Sequence, residues 1–377
     1  MKTRILTLFL LINGMLFSQN VTTLVGPNSG INDAIVVDSL GNIYGSDFGV
    51  STTGGSSVYK IDTAGNVSTF STGYSSCNGL AFDHQGNLYV VDFTSSNQDH
   101  QVYKLDQNGA KTAYGPKIPG ASGIIFDPFS DTLYVSQYTS SSNSISKLAP
   151  DGTVSLYCNH SLLNGPVGMA YDDQYNLYVA NFSDGEIYKV THAGDSLEFI
   201  GKVPKSGSWG IGFLTYASGY LYATGIGVHK IYQISTNGVV TEFAGTGNPG
   251  NTNGNAQNAE FNRPNGIATN KNQDKLYISD YGTKNIRLIS DIISDVDDLD
   301  KEVQWSVYPN PVSNLITIEF SDLQSRQQIQ IYNANGQLVK TATIYSQVPL
   351  DVSDLPSGLY LIRMVNKRNS RLKFIKE

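Results

Sequence analysis

The sequence predicts an all-β chain in two parts, a six-bladed β-propeller followed by a smaller β domain. Three observations predict it. A Leu-Tyr or Ile-Tyr pair returns at Tyr44, Tyr89, Tyr134, Tyr178, Tyr222 and Tyr277, at intervals of about 45, 45, 44, 44 and 55 residues. Around each pair lie short runs rich in Val, Ile, Leu, Tyr and Phe, separated by Gly, Asn, Asp and Ser, which is strand and turn chemistry. After Ile292 the period stops, an acidic stretch follows, and a different set of alternating strands begins. A period in the forties with several strands per unit marks a propeller, because one blade cannot bury both its faces and a ring of six can.

The chain begins with Lys2 and Arg4 and an apolar run from Ile5 to Phe17, the pattern of a signal peptide over residues 1–18. Cleavage is expected after Ser18, although Leu16 departs from the small residue usual three positions before the cut. No later run reaches the ~18 apolar residues of a membrane helix, so no transmembrane segment is expected in the mature chain.

The propeller is expected over residues 19–292. Each unit reads as four strands: A, such as Gly79-Leu80-Ala81-Phe82; B, such as Leu88-Tyr89-Val90-Val91; C, such as Val102-Tyr103-Lys104-Leu105; and a shorter D. Gly41-Asn42 and Gly86-Asn87 mark A–B turns, and Gly65-Asn66, Asn108-Gly109 and Asp151-Gly152 mark C–D turns, where positive φ is needed. The sixth unit lacks a fourth strand. Val21-Thr22-Thr23-Leu24-Val25-Gly26 matches Val240-Thr241-Glu242-Phe243-Ala244-Gly245, the fourth strand of unit five, so the N-terminal strand is predicted to complete the last blade and remove an exposed edge. Residues 293–304 read as a solvated acidic linker. Asp295, Asp297, Asp298 and Asp300 lack the Gly and Glu that an EF-hand loop places at its sixth and twelfth positions.

Charge narrows the partners. The chain carries a formal net charge of −7. Residues 19–304 hold 15 basic and 27 acidic side chains, about −12, and only two arginines, Arg263 and Arg287. Phosphate backbones need a Lys/Arg footprint, so no nucleic acid is expected as a partner. Cys77 and Cys158 fall in different strands of neighbouring blades and are expected as separate thiols. The five histidines fall in separate turns and loops and are expected in solvent, away from any joint catalytic or zinc role.

The C-terminal text carries Tyr308-Pro309-Asn310-Pro311, Ile331-Tyr332-Asn333-Ala334-Asn335-Gly336, Asp354-Leu355-Pro356-Ser357-Gly358-Leu359-Tyr360, and the basic end Arg371-Leu372-Lys373-Phe374. Residues 305–377 thereby resemble the type A sorting domain of the type IX secretion system of Bacteroidetes. The resemblance implies a small β-sandwich, with Tyr308, Pro309, Asn310, Pro311, Gly358, Tyr360 and Lys373 carrying the sorting signal. It implies the outer-membrane translocon as partner, and a cargo released or held at the outer cell surface after export to the periplasm. The propeller text resembles the NHL-repeat and regucalcin/gluconolactonase-like superfamily, through Phe243 to Gly254 leading into Arg263-Pro264-Asn265-Gly266-Ile267-Ala268, and through Asn78-Gly79-Leu80-Ala81-Phe82-Asp83. That superfamily holds lactonases, lyases and plain binding propellers. Asp-Ser/Thr-small-apolar at Asp38, Asp62, Asp131 and Asp195 is similar to the O-glycosylation sequon of exported Bacteroidetes proteins.

Topology gives two faces. A–B and C–D turns share one; the longer D–A and B–C loops share the other, which is the candidate binding face because function sits on loops held by a rigid scaffold. The residue before the inner-strand glycine is expected to line the channel mouth: Asp33 (before Ala34 in its blade), Asn78, Ser122, Val167, either Trp209 or Ile211, and Asn265. In the gluconolactonase-like family such positions supply divalent-metal ligands. The resemblance implies Asp33, Asn78 and Asn265 as a candidate Ca²⁺ set, with no counterpart for the family's second acid. A second ring closes strand B with Asp47, Asp92, Gln137, Asn181, Gly225 and Asp280, each before an aromatic or Ile; its aromatics are expected to pack between blades. The reading is a secreted or surface ligand-binding propeller that takes a glycan, peptide or protein. The alternatives are a metal-dependent lactonase-like or lyase-like enzyme and a structural surface-assembly module.

Overall fold

The computed structural model describes residues 19–27, 29–49, 56–93, 99–127, 130–138, 143–292, 305–320, 326–334, 337–364 and 371–377. The expected signal peptide and the acidic linker lie outside the described residues, as do Asn335 and Gly336 of the C-terminal motif.

Six antiparallel sheets follow one another in chain order. Blade 1 runs Ile35–Val37, Ile43–Ser46, Ser56–Ile61 and Val67–Tyr74. Blades 3, 4 and 5 repeat that order from inner strands Ala121–Phe126, Pro166–Tyr171 and Ile211–Ala217. Blade 2 departs at its outer edge, where both Lys111–Ala113 and Ile118–Pro119 pair with Asp99–Leu105. In blade 6 the order is Pro264–Thr269, Lys275–Asp280, Ile286–Ser290 and then Asn20–Val25, so the N-terminal strand closes the ring as the sequence predicts. Val21 is fully buried in that seam.

One packing device repeats at each blade junction. In blades 2 to 6 the inner strand pairs with strand B at its first residue, then loses register for two residues. The second residue of the bulge is glycine in blades 2, 3, 4 and 6, because the next blade's bulge lies against it. A Cβ on Gly123 would meet the Val167 carbonyl at 1.9 Å, and one on Gly266 the Asp33 carbonyl at 2.1 Å. Buried strand-B hydroxyls stitch the same junctions. Ser136 Oγ accepts the Gly123 N–H at 2.9 Å and donates to Val167 O at 2.9 Å. Thr224 bridges Phe213 N to Asn265 O, and Ser279 bridges Gly266 N to Asp33 O.

The turn face closes on itself. Asp38 Oδ1 accepts the Leu40 and Asn42 N–H groups while Asn42 Nδ2 donates to Oδ2. The same Asp–Asn loop recurs at Asp62/Asn66, Asp83/Asn87 and Asp172/Asn176. Of the hydroxyls in the four sequon-like sites, Ser39, Thr63 and Ser196 are exposed and Thr132 is buried.

Residues 305–376 form two facing sheets, Trp305–Tyr308 with Leu315–Phe320 and Pro349–Asp351, and Leu338–Tyr345, Arg326–Asn333, Gly358–Met364 and Arg371–Lys376. Ile316 and Ile318 of one sheet share a core with Ile329, Ile331, Ile362 and Phe374 of the other. Among the described residues no helix is long and apolar enough to cross a membrane. Cys77 and Cys158 are both free and buried, and burial pushes both thiols up, Cys158 with Asp195 adding to it.

Candidate functional site

The mouth of the channel on the loop-rich face is built by the first residue of each bulge. Register places Asn78, Ser122, Val167, Gly212 and Asn265 there, and Asp33 takes the same place in blade 1, with its carbonyl against Gly266 and its N–H donating to Ser46 O. This corrects the expectation for blade 5, where neither Trp209 nor Ile211 holds the position. Ile211 pairs with Gly225 just as Cys77 pairs with Asp92, so Gly212 matches Asn78 and Phe213 stands where other blades have glycine. The missing side chain at Gly212 leaves room for the Asn265 amide, whose Oδ1 would lie 2.3 Å from a Cβ there. The Phe213 ring packs against the cluster holding Ala34 and Leu80 and the one holding Ile267, so it stands across the channel. Beyond it, toward the turn face, a cavity of about 320 Å³ is lined by Val37, Phe82, Phe126, Tyr171 and Tyr216.

Asp33, Asn78, Ser122 and Asn265 are all buried and pair across blade junctions. Asn265 Nδ2 donates to Asp33 Oδ1 at 2.6 Å and to Asn32 O at 3.3 Å. Asn78 Nδ2 donates to Ser122 Oγ at 3.1 Å. Asp33 Oδ2 is buried with no hydrogen-bond partner among the described residues. Burial dominates its titration and pushes the carboxyl up to about 7, with the Asn265 hydrogen bond pulling the other way. The donor set does not fit calcium, which takes six to eight oxygens. The set contains one carboxylate, partly protonated near neutrality, and the Asn265 and Asn78 N–H₂ groups face their neighbours. No group of three or more His, Cys, Asp or Glu that would hold a metal occurs among the described residues.

The second ring holds loops. Asp92 Oδ1 accepts the N–H groups of Ser75 and Ser76. Gln137 donates to Pro119 O, and Asn181 to Leu162 O. Asp280 accepts the Asn262 N–H and lies 3.7 Å from Arg287, both fully buried. Burial raises the Asp280 carboxyl and Arg287 opposes the shift. Arg287 also donates to Thr252 O and Asn253 Oδ1, and so ties down the Gly-rich loop of blade 6. Asp47 receives Lys284 at 2.9 Å.

Above this floor runs an aromatic rim. Phe48, Phe93, Phe182, Trp209 and Tyr281 are half-buried and Tyr138 is 39% exposed. They pack ring to ring, as expected for residues between blades: Phe48–Phe93 at 5.8 Å, Tyr138–Phe182 at 5.5 Å, Phe182–Trp209 at 6.0 Å and Trp209–Tyr281 at 5.8 Å. These spacings are those of favourable aromatic pairs. Trp209 fills the gap left by Ile226, which turns inward and is buried. Arg263 is exposed, with its guanidinium 5.3 Å over the Trp209 ring. The Arg263 backbone N–H donates to His229 Nδ1 at 3.0 Å. His100 departs from the expected solvent exposure: it is buried, packs at a tilt with its ring centre 4.2 Å from that of Phe93, and contacts the Ala121 carbonyl through Nδ1. Strand C of blade 2 carries it inward, into the junction with blade 3.

In the C-terminal part, the residues expected to carry the sorting signal draw together. Asn310 Nδ2 donates to Lys373 O at 3.1 Å and its Oδ1 accepts the Ile375 N–H at 2.8 Å. Tyr360 stacks on Phe374 at 5.3 Å and its hydroxyl donates to Pro356 O, while Gly358 pairs with Lys376. Tyr308 and Lys373 are exposed. Residues 306–377 match the model of the secretion system C-terminal sorting domain.

The chain ends in a sorting domain.

That sorting domain directs export to the cell surface or the medium, and it implies engagement of the type IX secretion machinery. None of the curated proteins matches the chain. Among solved structures the propeller is similar to an auxiliary nutrient binding protein from Bacteroides thetaiotaomicron (16% identity, 72% of this chain and 76% of that one, TM-score 0.60). It is also similar to a gluconolactonase from Xanthomonas campestris (13%, 72% and 89%, 0.55). A third is a catalytically inactive virginiamycin B lyase from Staphylococcus aureus with quinupristin (14%, 72% and 99%, 0.51). At these identities the likeness is one of fold.

Proposed function

We propose that the protein is an exported binding propeller whose loop-rich mouth takes an extracellular ligand, and that the sorting domain brings it to the cell surface. The observation that carries this is the half-exposed aromatic rim above a floor of buried Asp33, Asn78, Ser122 and Asn265. Flat apolar faces beside a few fixed polar groups are the usual make-up of a ligand site. An unpartnered carboxylate oxygen on that floor is a group whose hydrogen bond a ligand would complete. That one of the similar folds is a nutrient binding protein agrees with this reading.

The lactonase-like alternative finds less support, because the mouth offers one unpartnered carboxylate oxygen and no oxygen set for a divalent ion. The test is a glycan and peptide array probed with the full chain and with Asn78→Ala. The reading expects discrete hits that weaken in the variant at unchanged melting temperature. An empty array, or hits indifferent to the mouth substitution, would sink it.

A further inference from the structure

We infer that the mouth recognises a carboxylate-bearing saccharide, seating its acid on Arg263 and its rings along the strip Tyr138–Phe182–Trp209–Tyr281. This rests on the mouth being the binding site and says what that site selects.

The repeat supplies its own control. In blades 2 to 6 the residue just before the inner strand offers one carbonyl that accepts the N–H of the rim residue. It belongs to Ser76 for Phe93, Gly120 for Tyr138, Gly165 for Phe182, Gly210 for Ile226, and Arg263 for Tyr281. Arg263 therefore occupies the position that blades 3, 4 and 5 give to glycine. Gly120 and Gly165 hold φ of 67° and 64° there, and Arg263 holds 56°. A left-handed backbone is natural for glycine and strained for arginine. Strained residues that persist cluster at functional sites. The junction itself has no use for the side chain, since three other blades close it without one.

What the side chain does do is stand in solvent over Trp209. Among the described residues its guanidinium makes no ion pair. The propeller's other arginine, Arg287, is wholly buried. An exposed guanidinium fork matches a carboxylate through two parallel hydrogen bonds, and stacking on an indole holds the fork in place. The four rings beside it follow at 5.5, 6.0 and 5.8 Å with planes inclined at 81°, 60° and 50°, a stepped run of apolar faces and edges against which the C–H faces of pyranose rings pack. The floor offers amide and hydroxyl groups, which pair with sugar hydroxyls. A cationic ligand would meet Arg263 as a like charge; a neutral one would leave it idle.

The test is calorimetric titration of the full chain with trimers of galacturonate, glucuronate and mannuronate and with their methyl esters, which keep the sugar and remove the charge. The expected result is that at least one acid binds tenfold or more tighter than its ester, with an advantage that shrinks as salt rises. Arg263→Gly should erase that advantage and leave the melting temperature equal or higher, because glycine suits the backbone. Trp209→Ala should weaken acid and ester alike. Equal affinity for acid and ester, or no binding of any trimer, overturns the inference. So does a loss of stability in Arg263→Gly, which would make the residue structural. Peptide binding lost in Trp209→Ala would overturn the saccharide and keep the mouth; trimer binding indifferent to Trp209→Ala would overturn both.

Discussion

The two faces of the propeller come from one repeat and treat their polar groups in opposite ways. On the turn face the repeated Asp of the Asp–Asn loops closes on its own turn, as Asp62 does with Ala64, Asn66 and the Asn66 amide, while Asp173 reaches across to Tyr216 and Gln273. On the loop face the polar side chains cross blade junctions, as Asn265 does to Asp33, and they leave an orphan carboxylate oxygen and an exposed guanidinium. A locally satisfied group stabilises a hairpin and offers nothing to a ligand. A group held from two blades is fixed in place and still has capacity to bind.

The contrast can be broken by substitution. The largest effect is expected at the buried Arg287–Asp280 pair, because Arg287→Ala strands a buried carboxylate and frees the carbonyls of the Gly-rich loop. A loss of about 3–5 kcal/mol is expected by chemical denaturation, with faster amide exchange in residues 245–264; a loss under about 1 kcal/mol would remove the pair's role.

Next comes pH. The Asp33 carboxyl sits near 7 in the folded chain against 3.8 unfolded, so the folded state holds its proton more tightly. Its contribution is complete below about pH 4 and is lost as pH rises through 7, by up to about 4 kcal/mol at ~1.36 kcal/mol per unit. The groups around it are Asn265, the Ala34 N–H and Asp47. Asp33→Asn should flatten that part of the stability–pH curve, and an unchanged curve would show that Asp33 does not cause it.

Gly266→Ala puts a Cβ against the Asp33 carbonyl at 2.1 Å and should destabilise by about 3 kcal/mol. Gly86→Ala on the turn face has open space and only a positive φ to resist it, about 1 kcal/mol. Equal melting temperatures for the two variants would erase the distinction between junction and turn. Smallest of all, Asp62→Ala should lower the melting temperature only slightly and leave binding untouched.

Much of this was legible beforehand. The Tyr44-to-Tyr277 period places the blades, and the match of Val21–Gly26 to Val240–Gly245 places the closing strand, because strand chemistry is local. The mouth was legible wherever a polar residue precedes glycine, at Asn78, Ser122 and Asn265. It failed in blade 5, where Gly212-Phe213 inverts the order and a ring enters the channel. Trp209 in the rim was not legible, since its neighbours Phe182 and Tyr281 come from other blades. Nor was the Arg263–Trp209 contact, which exists only because a loop adopts a left-handed turn at Arg263. The burial of His100 depends likewise on a junction between blades that no local pattern records.

The chain has two tryptophans, Trp209 at the mouth and Trp305 in the sorting domain. In a Trp305→Phe chain, emission reports Trp209 alone. Titrating that chain with a ligand found on the array should shift or quench the emission saturably, with the affinity that calorimetry gives. Saturable calorimetric binding with a flat Trp209 emission would place the ligand elsewhere, in the cavity beyond Phe213 or on the turn face, and would contradict the loop-rich mouth as the binding site.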